Sequence, residues 1–263
     1  ILENFADTGT DEALLHDAKK LINQGNYAGA IAKIDKMTST YQATRAIVAL
    51  RAQAYGGICG LNFFDLVLAI GNLGTTRVLP FMLGNFRSGA TTAKIDACIT
   101  AETLIKSIGA VGVRTTDENL LMLLLSFAKI GNLLSFYADA DQDGNATAAY
   151  DVCTIGGVGA RTAGADMPDE DARELGTGLT IALESLGAIG SSVNLGSGSL
   201  SGLSGACSAL PPGYDFCAKT DGSQFTANEL KGIRSLAREG SALGLDLNGC
   251  GGQDVTHVGS FCP

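Results

Sequence analysis

A chain of 263 residues with a net charge of −9 and no run of Lys or Arg is poorly suited to nucleic acid, whose phosphates call for clustered cations. Hydrophobic residues make up 46% and charged residues 17%, Trp is absent and mean hydropathy is positive. Such a chain either buries an unusually large apolar fraction or keeps an apolar surface for another purpose, and it is long enough for a substantial core.

In chain order, the pattern is helical from the start. Thr10 or Asp11 can cap a helix whose apolar positions Leu14, Leu15, Ala18, Leu21 and Ile22 recur three and four apart, and Gly25 stops it. A second helix begins near Tyr27 and turns Ala30, Ile31, Ile34 and Met37 inward. The link between them is so short that the two helices must lie antiparallel and adjacent. Residues 46–55 and 61–73 read as a further helix pair, and the Gly-rich segment around Pro80 departs from this rhythm.

The run Ala18-x-x-Leu21-x-x-x-Gly25-x-Tyr27-x-x-Ala30-Ile31 resembles a tetratricopeptide repeat, in which small Gly and Ala residues let two helices approach closely. The resemblance covers roughly the first 75 residues. In overall character the chain also resembles periplasmic helical lipoproteins built on irregular hairpins of this kind. These include the T components that accompany some TRAP transporters and the helical carriers that move sterols across the periplasm of sterol-producing bacteria. The resemblance implies an exported helical protein that either carries an apolar lipid or sterol or grips a protein partner, such as a component of a solute transporter.

From Leu79 to Arg114 the chain continues as short amphipathic helices, with Ala93, Ile95, Ala97, Ile99, Leu104, Ile105 and Ile108 as interior positions. Thr116 or Asp117 then caps the most distinctive stretch, residues 119–138. Its first half, from Leu120 to Leu125 and on to Phe127, is apolar on every side, and Ser126, Lys129, Asn132 and Ser135 interrupt it. Such a helix must be covered all round. It approaches the length of a membrane span, but the interruptions and the acidic loop that follows favour a buried central helix. In that loop Asp139, Asp141 and Asp143, with Gly144, have the first half of an EF-hand spacing, suited to a structural calcium ion. Tyr150 stands where the closing Glu would be, so a solvated acidic turn is the alternative.

Residues 169–190 form another helix, opened by acidic residues. The low-complexity run 196–205 is a flexible loop or a close-packed small-residue helix; it lacks the Lys-Ser/Thr ending of a phosphate-binding loop and the Gly-x-Ser-x-Gly spacing of a nucleophile elbow. A capping box, Thr226-x-x-Glu229, opens a last helix that runs to about Leu243. The fragment from Gly156 to Ala160 lacks the third glycine of a dinucleotide fingerprint. His16 and His257 have no motif partner, so we expect a protein that binds rather than catalyses and that requires no cofactor.

Seven Cys against two His point to disulfides rather than metal ligation. The spacings suit local bridges Cys207–Cys217 and Cys250–Cys262, leaving Cys59, Cys98 and Cys153, of which one is free or pairs elsewhere. A start at Ile1 suggests a mature form with an export signal removed. The expected compartment is the bacterial periplasm, with the protein free or lipid-anchored, against the alternative of a cytosolic protein with inert thiols.

We therefore expect one all-α domain over 1–263, an irregular bundle of helical hairpins. Its parts are tetratricopeptide-like hairpins at 1–75, central apolar helices at 76–205 and a Cys-rich region at 206–263. For an apolar ligand between the helices, the expected lining is Phe63, Phe64, Leu68, Met82, Leu121, Leu124, Leu125 and Phe127, with Asp65 or Tyr137 to meet a hydroxyl.

Overall fold

In the computed structural model the described residues are 9–71, 77–87, 89–190, 205, 207, 210–239, 243–247 and 262, and they are all-helical. The side chains of Phe64 and Gly71 lie outside the described set. The first two helices, α1 (Asp11–Asn23) and α2 (Tyr27–Ile34), form an antiparallel hairpin. Thr10 caps α1 by accepting the Ala13 amide, and Asn26 caps α2 by accepting the Gly29 amide. Gly25 makes the turn between them at φ +74°, where a side chain would be strained.

A short turn, α3 (Ser39–Gln42), leads into α4 (Arg45–Ile58), which packs on α2. A Cβ on Gly57 of α4 would lie 2.3 Å from the ring of Tyr27, so only glycine allows this approach. Then come α5 (Phe63–Gly71), α6 (Val78–Asn85) and α7 (Thr92–Ile108). Where the sequence suggested a run of short helices, α7 is one continuous helix of 17 residues. Its inner stripe holds Ile95, Cys98, Ala101 and Ile105 but also Glu102, while Ala93 is exposed.

The central helix α8 (Thr116–Ala138) is walled by α6, α7 and α9 (Asp169–Ile189) and is touched by α4. It has the length and hydropathy of a membrane span, yet 94% of its most apolar window is buried within the protein. Its cap is Thr115, one residue before the expected positions, because Thr115 and Glu118 complete a reciprocal capping box. Two of the polar interruptions bond within the core: Ser126 Oγ donates to the Met122 carbonyl, and the Asn132 amide donates to the carbonyls of Cys59 and Ala128, while the buried Ser135 hydroxyl has no partner among the described residues.

After the long connection 139–168 and α9, a 3-10 turn (Gly222–Gln224) precedes α10 (Ala227–Arg238), which packs on α9. The Thr226–Glu229 capping box forms as read, but α10 stops at Arg238 rather than near Leu243. Buried Arg234 of α10 ties the connection down by donating to the carbonyls of Val152 (2.8 Å) and Met167 (2.9 Å) and to Asp169.

The described residues form two apolar cores. The large one surrounds α8, and a small one joins Leu14, Ala18, Ile34, Met37, Ile47 and Leu50 of the first helices. Among the described residues three disulfides are present: Cys59–Cys98, Cys153–Cys262 and Cys207–Cys217. The last matches the expected local bridge. Cys262 pairs with Cys153 across 109 residues instead of with nearby Cys250, which lies outside the described residues. The fold brings the distant cysteines together, which spacing along the chain does not report.

Candidate functional site

Three helices converge on a charge that has no access to water. Lys129, in the middle of α8, is fully buried. Its ammonium stands 2.7 Å from a Glu102 oxygen on α7 and donates to Glu174 (2.8 Å) and to the Thr177 hydroxyl (2.8 Å) on α9. Glu102 is itself buried and is also paired with Lys106, one turn along α7, at 2.8 Å. Gly178 of α9 makes room, since a Cβ there would press on Ile130 (2.8 Å) and on Cε of Lys129 (3.4 Å).

Burial opposes the charge on Lys129, but the Glu102 and Glu174 carboxylates outweigh it and hold the lysine above its ordinary pKa. Burial likewise opposes ionised Glu102, and Lys129 with Lys106 reverses the balance, so its carboxyl sits below the usual range. Lys129 and Glu102 are therefore both charged at neutral pH.

Outside this cluster a cleft of about 640 Å³ opens between the end of α7, the 109–111 turn, α8, α9 and the 3-10 turn. Lys106, Glu174 and Thr177 belong to both cluster and cleft. Glu170, Glu184 and Asp221 add carboxylates to its walls, and half-buried Val111 adds apolar surface in front of the buried Met122 and Ile181. Arg173 also lines it, with Nη1 engaged by the carbonyls of Gly222 (2.6 Å) and Phe225 (2.8 Å). The cleft is thus suited to a polar ligand.

The residues expected to line an apolar cavity are not gathered around one. Met82, Leu121, Leu124, Leu125 and Phe127 are packed within the large core. Phe63 and Leu68 are 38% and 66% exposed, because Leu66 and Ile70 take the inward face of α5. Asp65 is also exposed and bonds with Asn62; the Phe64 side chain lies outside the described set. Tyr137 is buried, and its hydroxyl donates to Asp171, which Arg161 grips through Nε and Nη2 (2.8–3.0 Å). Burial first and Asp171 second raise the phenol well above its usual pKa. Its hydroxyl is already committed, so it does not meet the expected role toward a ligand.

Asp139, Asp141 and Asp143 do come together, with an oxygen of each within 4.8 Å of the others. Buried Asp139 accepts the amides of Asp143 and Gly144, both at 3.0 Å, through its two oxygens. Burial, with Asp141 and Asp143 nearby, raises its pKa. At the closing position Tyr150 is buried, and Asp151 accepts the Cys153 amide. The loop thus offers a hard cation three carboxylates without the closing bidentate ligand that calcium loops use.

The Lys129 cluster was not singled out in the sequence, although the signals were present. A lysine inside an all-apolar helix needs a buried anion, and Glu102 falls on the apolar stripe of α7. Their pairing depends on contacts of 27 residues and more along the chain. No family model matches this chain, and neither a curated protein nor a solved structure is significantly similar to it.

Proposed function

We propose that this protein acts by binding, in an oxidising compartment such as a periplasm, and that a small polar ligand occupies the cleft beside the Lys129 cluster. The observation that carries this reading is the placement of a wholly desolvated Lys129–Glu102 pair directly behind an open cleft that shares Lys106, Glu174 and Thr177 with it. Buried ion clusters are often less stabilising than apolar packing of the same volume, and charged groups held in place beside a cleft are typical of sites. The disulfides support the compartment, since such bonds persist where the surroundings are oxidising.

Carriage of a lipid or sterol, expected from the sequence, would require the helices around α8 to part, because Met82, Leu121, Leu124, Leu125 and Phe127 are engaged in core packing. The alternative of a scaffold for a protein partner draws on the α1–α2 hairpin. Thermal shift and native mass spectrometry with a panel of polar metabolites, sterols, fatty acids and phospholipids separate these readings. Ala110→Arg is the matched variant, since exposed Ala110 lines the cleft and an arginine would fill it. Saturable binding of a polar compound that Ala110→Arg abolishes supports the proposal. Lipid binding indifferent to Ala110→Arg overturns it in favour of the carrier.

A further inference from the structure

Resting on the oxidising compartment proposed above, and independent of the cleft, we infer that Asn145 is a site of N-linked glycosylation. The chain has one Asn-x-Ser/Thr triplet, Asn145-Ala146-Thr147, with no proline in its middle. A glycan is bulky and hydrophilic, so its asparagine must stand at the surface. Asn145 is exposed on the long connection after α8, and its carboxamide is bonded to no described residue; only its backbone amide is engaged, by Asp143 Oδ1 at 2.7 Å. By contrast Asn85, Asn119 and Asn132 spend their carboxamides on main-chain carbonyls, and none of them has a hydroxyl residue two places on.

Thr147 is exposed as well. Its Oγ1 accepts the Ala140 amide at 3.3 Å, and its proton is given to no described residue. The Thr147 amide donates to the Ala138 carbonyl at 2.6 Å, so the triplet is fastened to the C-terminal end of α8 while the Asn145 side chain stays in solvent. The co-reactant is a polyprenyl-diphosphate-linked oligosaccharide, presented by a membrane transferase on the same oxidising side on which disulfides form. Asn145 Nδ2 attacks the anomeric carbon of the first sugar. The new N–C bond replaces the C–O bond to the diphosphate, polyprenyl diphosphate leaves with that electron pair, and one Nδ2 proton passes to a base. α8 rises about 24 Å from Met122, behind the cleft, to Ala138. A sugar on Asn145 therefore sits at the far end of the helix and leaves the cleft open.

The test is peptide mapping of the protein and its variants, isolated from its own cells. After reduction, cleavage at Lys129 and Arg161 releases the peptide 130–161 that holds the triplet. Release of the sugar by peptide N-glycosidase in heavy-oxygen water marks the attachment residue with a labelled aspartate. We expect sugar on this peptide in the wild type and in Thr147→Ser, and its complete loss in Asn145→Gln and Thr147→Ala. Thr147→Ser keeps the hydroxyl that accepts the Ala140 amide, and circular dichroism confirms that each variant is folded. A bare wild-type peptide from protein whose Cys59–Cys98 bond is oxidised would overturn the inference and leave the compartment standing. A bare peptide with both thiols reduced would remove the two readings together. Sugar that persists in Asn145→Gln would overturn the inference in favour of a hydroxyl-linked glycan.

Discussion

Lys129 and Glu102, both buried, face each other at 2.7 Å across the α7–α8 interface, 27 positions apart in the chain. Removing the cation leaves Glu102 with Lys106 alone and the inner oxygen of Glu174 with only the Thr177 hydroxyl. Lys129→Met is expected to cost about 3–5 kcal/mol. The double variant Lys129→Met/Glu102→Gln should recover part of that loss, because the buried anion goes as well. Urea denaturation of the two variants checks this; a loss below about 1 kcal/mol for Lys129→Met would show that the cluster is not desolvated.

Glu118 predicts a pH dependence. Its carboxylate is held chiefly by the Arg45 guanidinium, against burial, and by the Thr115 amide and hydroxyl, which bring its pKa to about 2 from an ordinary 4.5. A carboxyl with a lowered folded pKa contributes stability that is complete above pH 4.5 and lost as pH falls toward 2. With Arg45 nearly half exposed, the contribution is about 1–2 kcal/mol. Glu118→Gln should therefore flatten the stability profile between pH 5 and 2, as followed by urea midpoints at each pH.

Two glycines in helices should respond in opposite directions to alanine. A Cβ on Gly131 of α8 would meet the Phe86 ring at 2.3 Å and the Met82 carbonyl at 2.8 Å, so Gly131→Ala forces α6 away and should cost about 1–3 kcal/mol. Gly187 of α9 is exposed and has nothing within 4 Å of that point. Gly187→Ala should add about 0.5–1 kcal/mol through helix propensity and a more restricted unfolded chain. Thermal melting of both variants decides.

The Asp139 carboxylate fixes the turn after α8 through two backbone amides, so Asp139→Ala should cost about 1–3 kcal/mol even in excess EDTA. A loss that appears only with calcium present would assign that role to a bound ion.

The Cys59–Cys98 bond closes 39 residues between α4 and α7. Replacing both by Ala should lower stability by about 3–4 kcal/mol in the chain-entropy view. Peptide mapping without reduction should also recover a Cys153–Cys262 link, and a Cys250–Cys262 peptide in its place would contradict the observed topology.

Much of the fold was legible because local rules decided it. The apolar face of α1, the turn at Gly25 and the capping box at Thr226 each follow from residues a few positions apart. α8 was legible for another reason: a helix apolar on every side has only the interior to go to. Its cap was displaced to Thr115 because the reciprocal bond with Glu118 requires a three-residue spacing. The site was less legible. Polar Lys129 within α8 and Glu102 within the inner stripe of α7 each break the apolar pattern, but only tertiary packing shows that one answers the other. The same holds for Cys153 and Cys262. Phe63 and Leu68 read as interior by residue type, but a short helix buries only one face, and in α5 Leu66 and Ile70 already fill it.

Helix α4 with its C-terminal cap belongs to both cores, giving Ile47 and Leu50 to the small one and Ala52 and the capping Cys59 to the large one. Its far end is moored through Cys98 to α7, one turn before Glu102. The N-terminal hairpin, α4 and α7, whose last turn reaches the cleft wall at Lys106, thus form one unbroken chain of packed helices with a covalent tie in its middle.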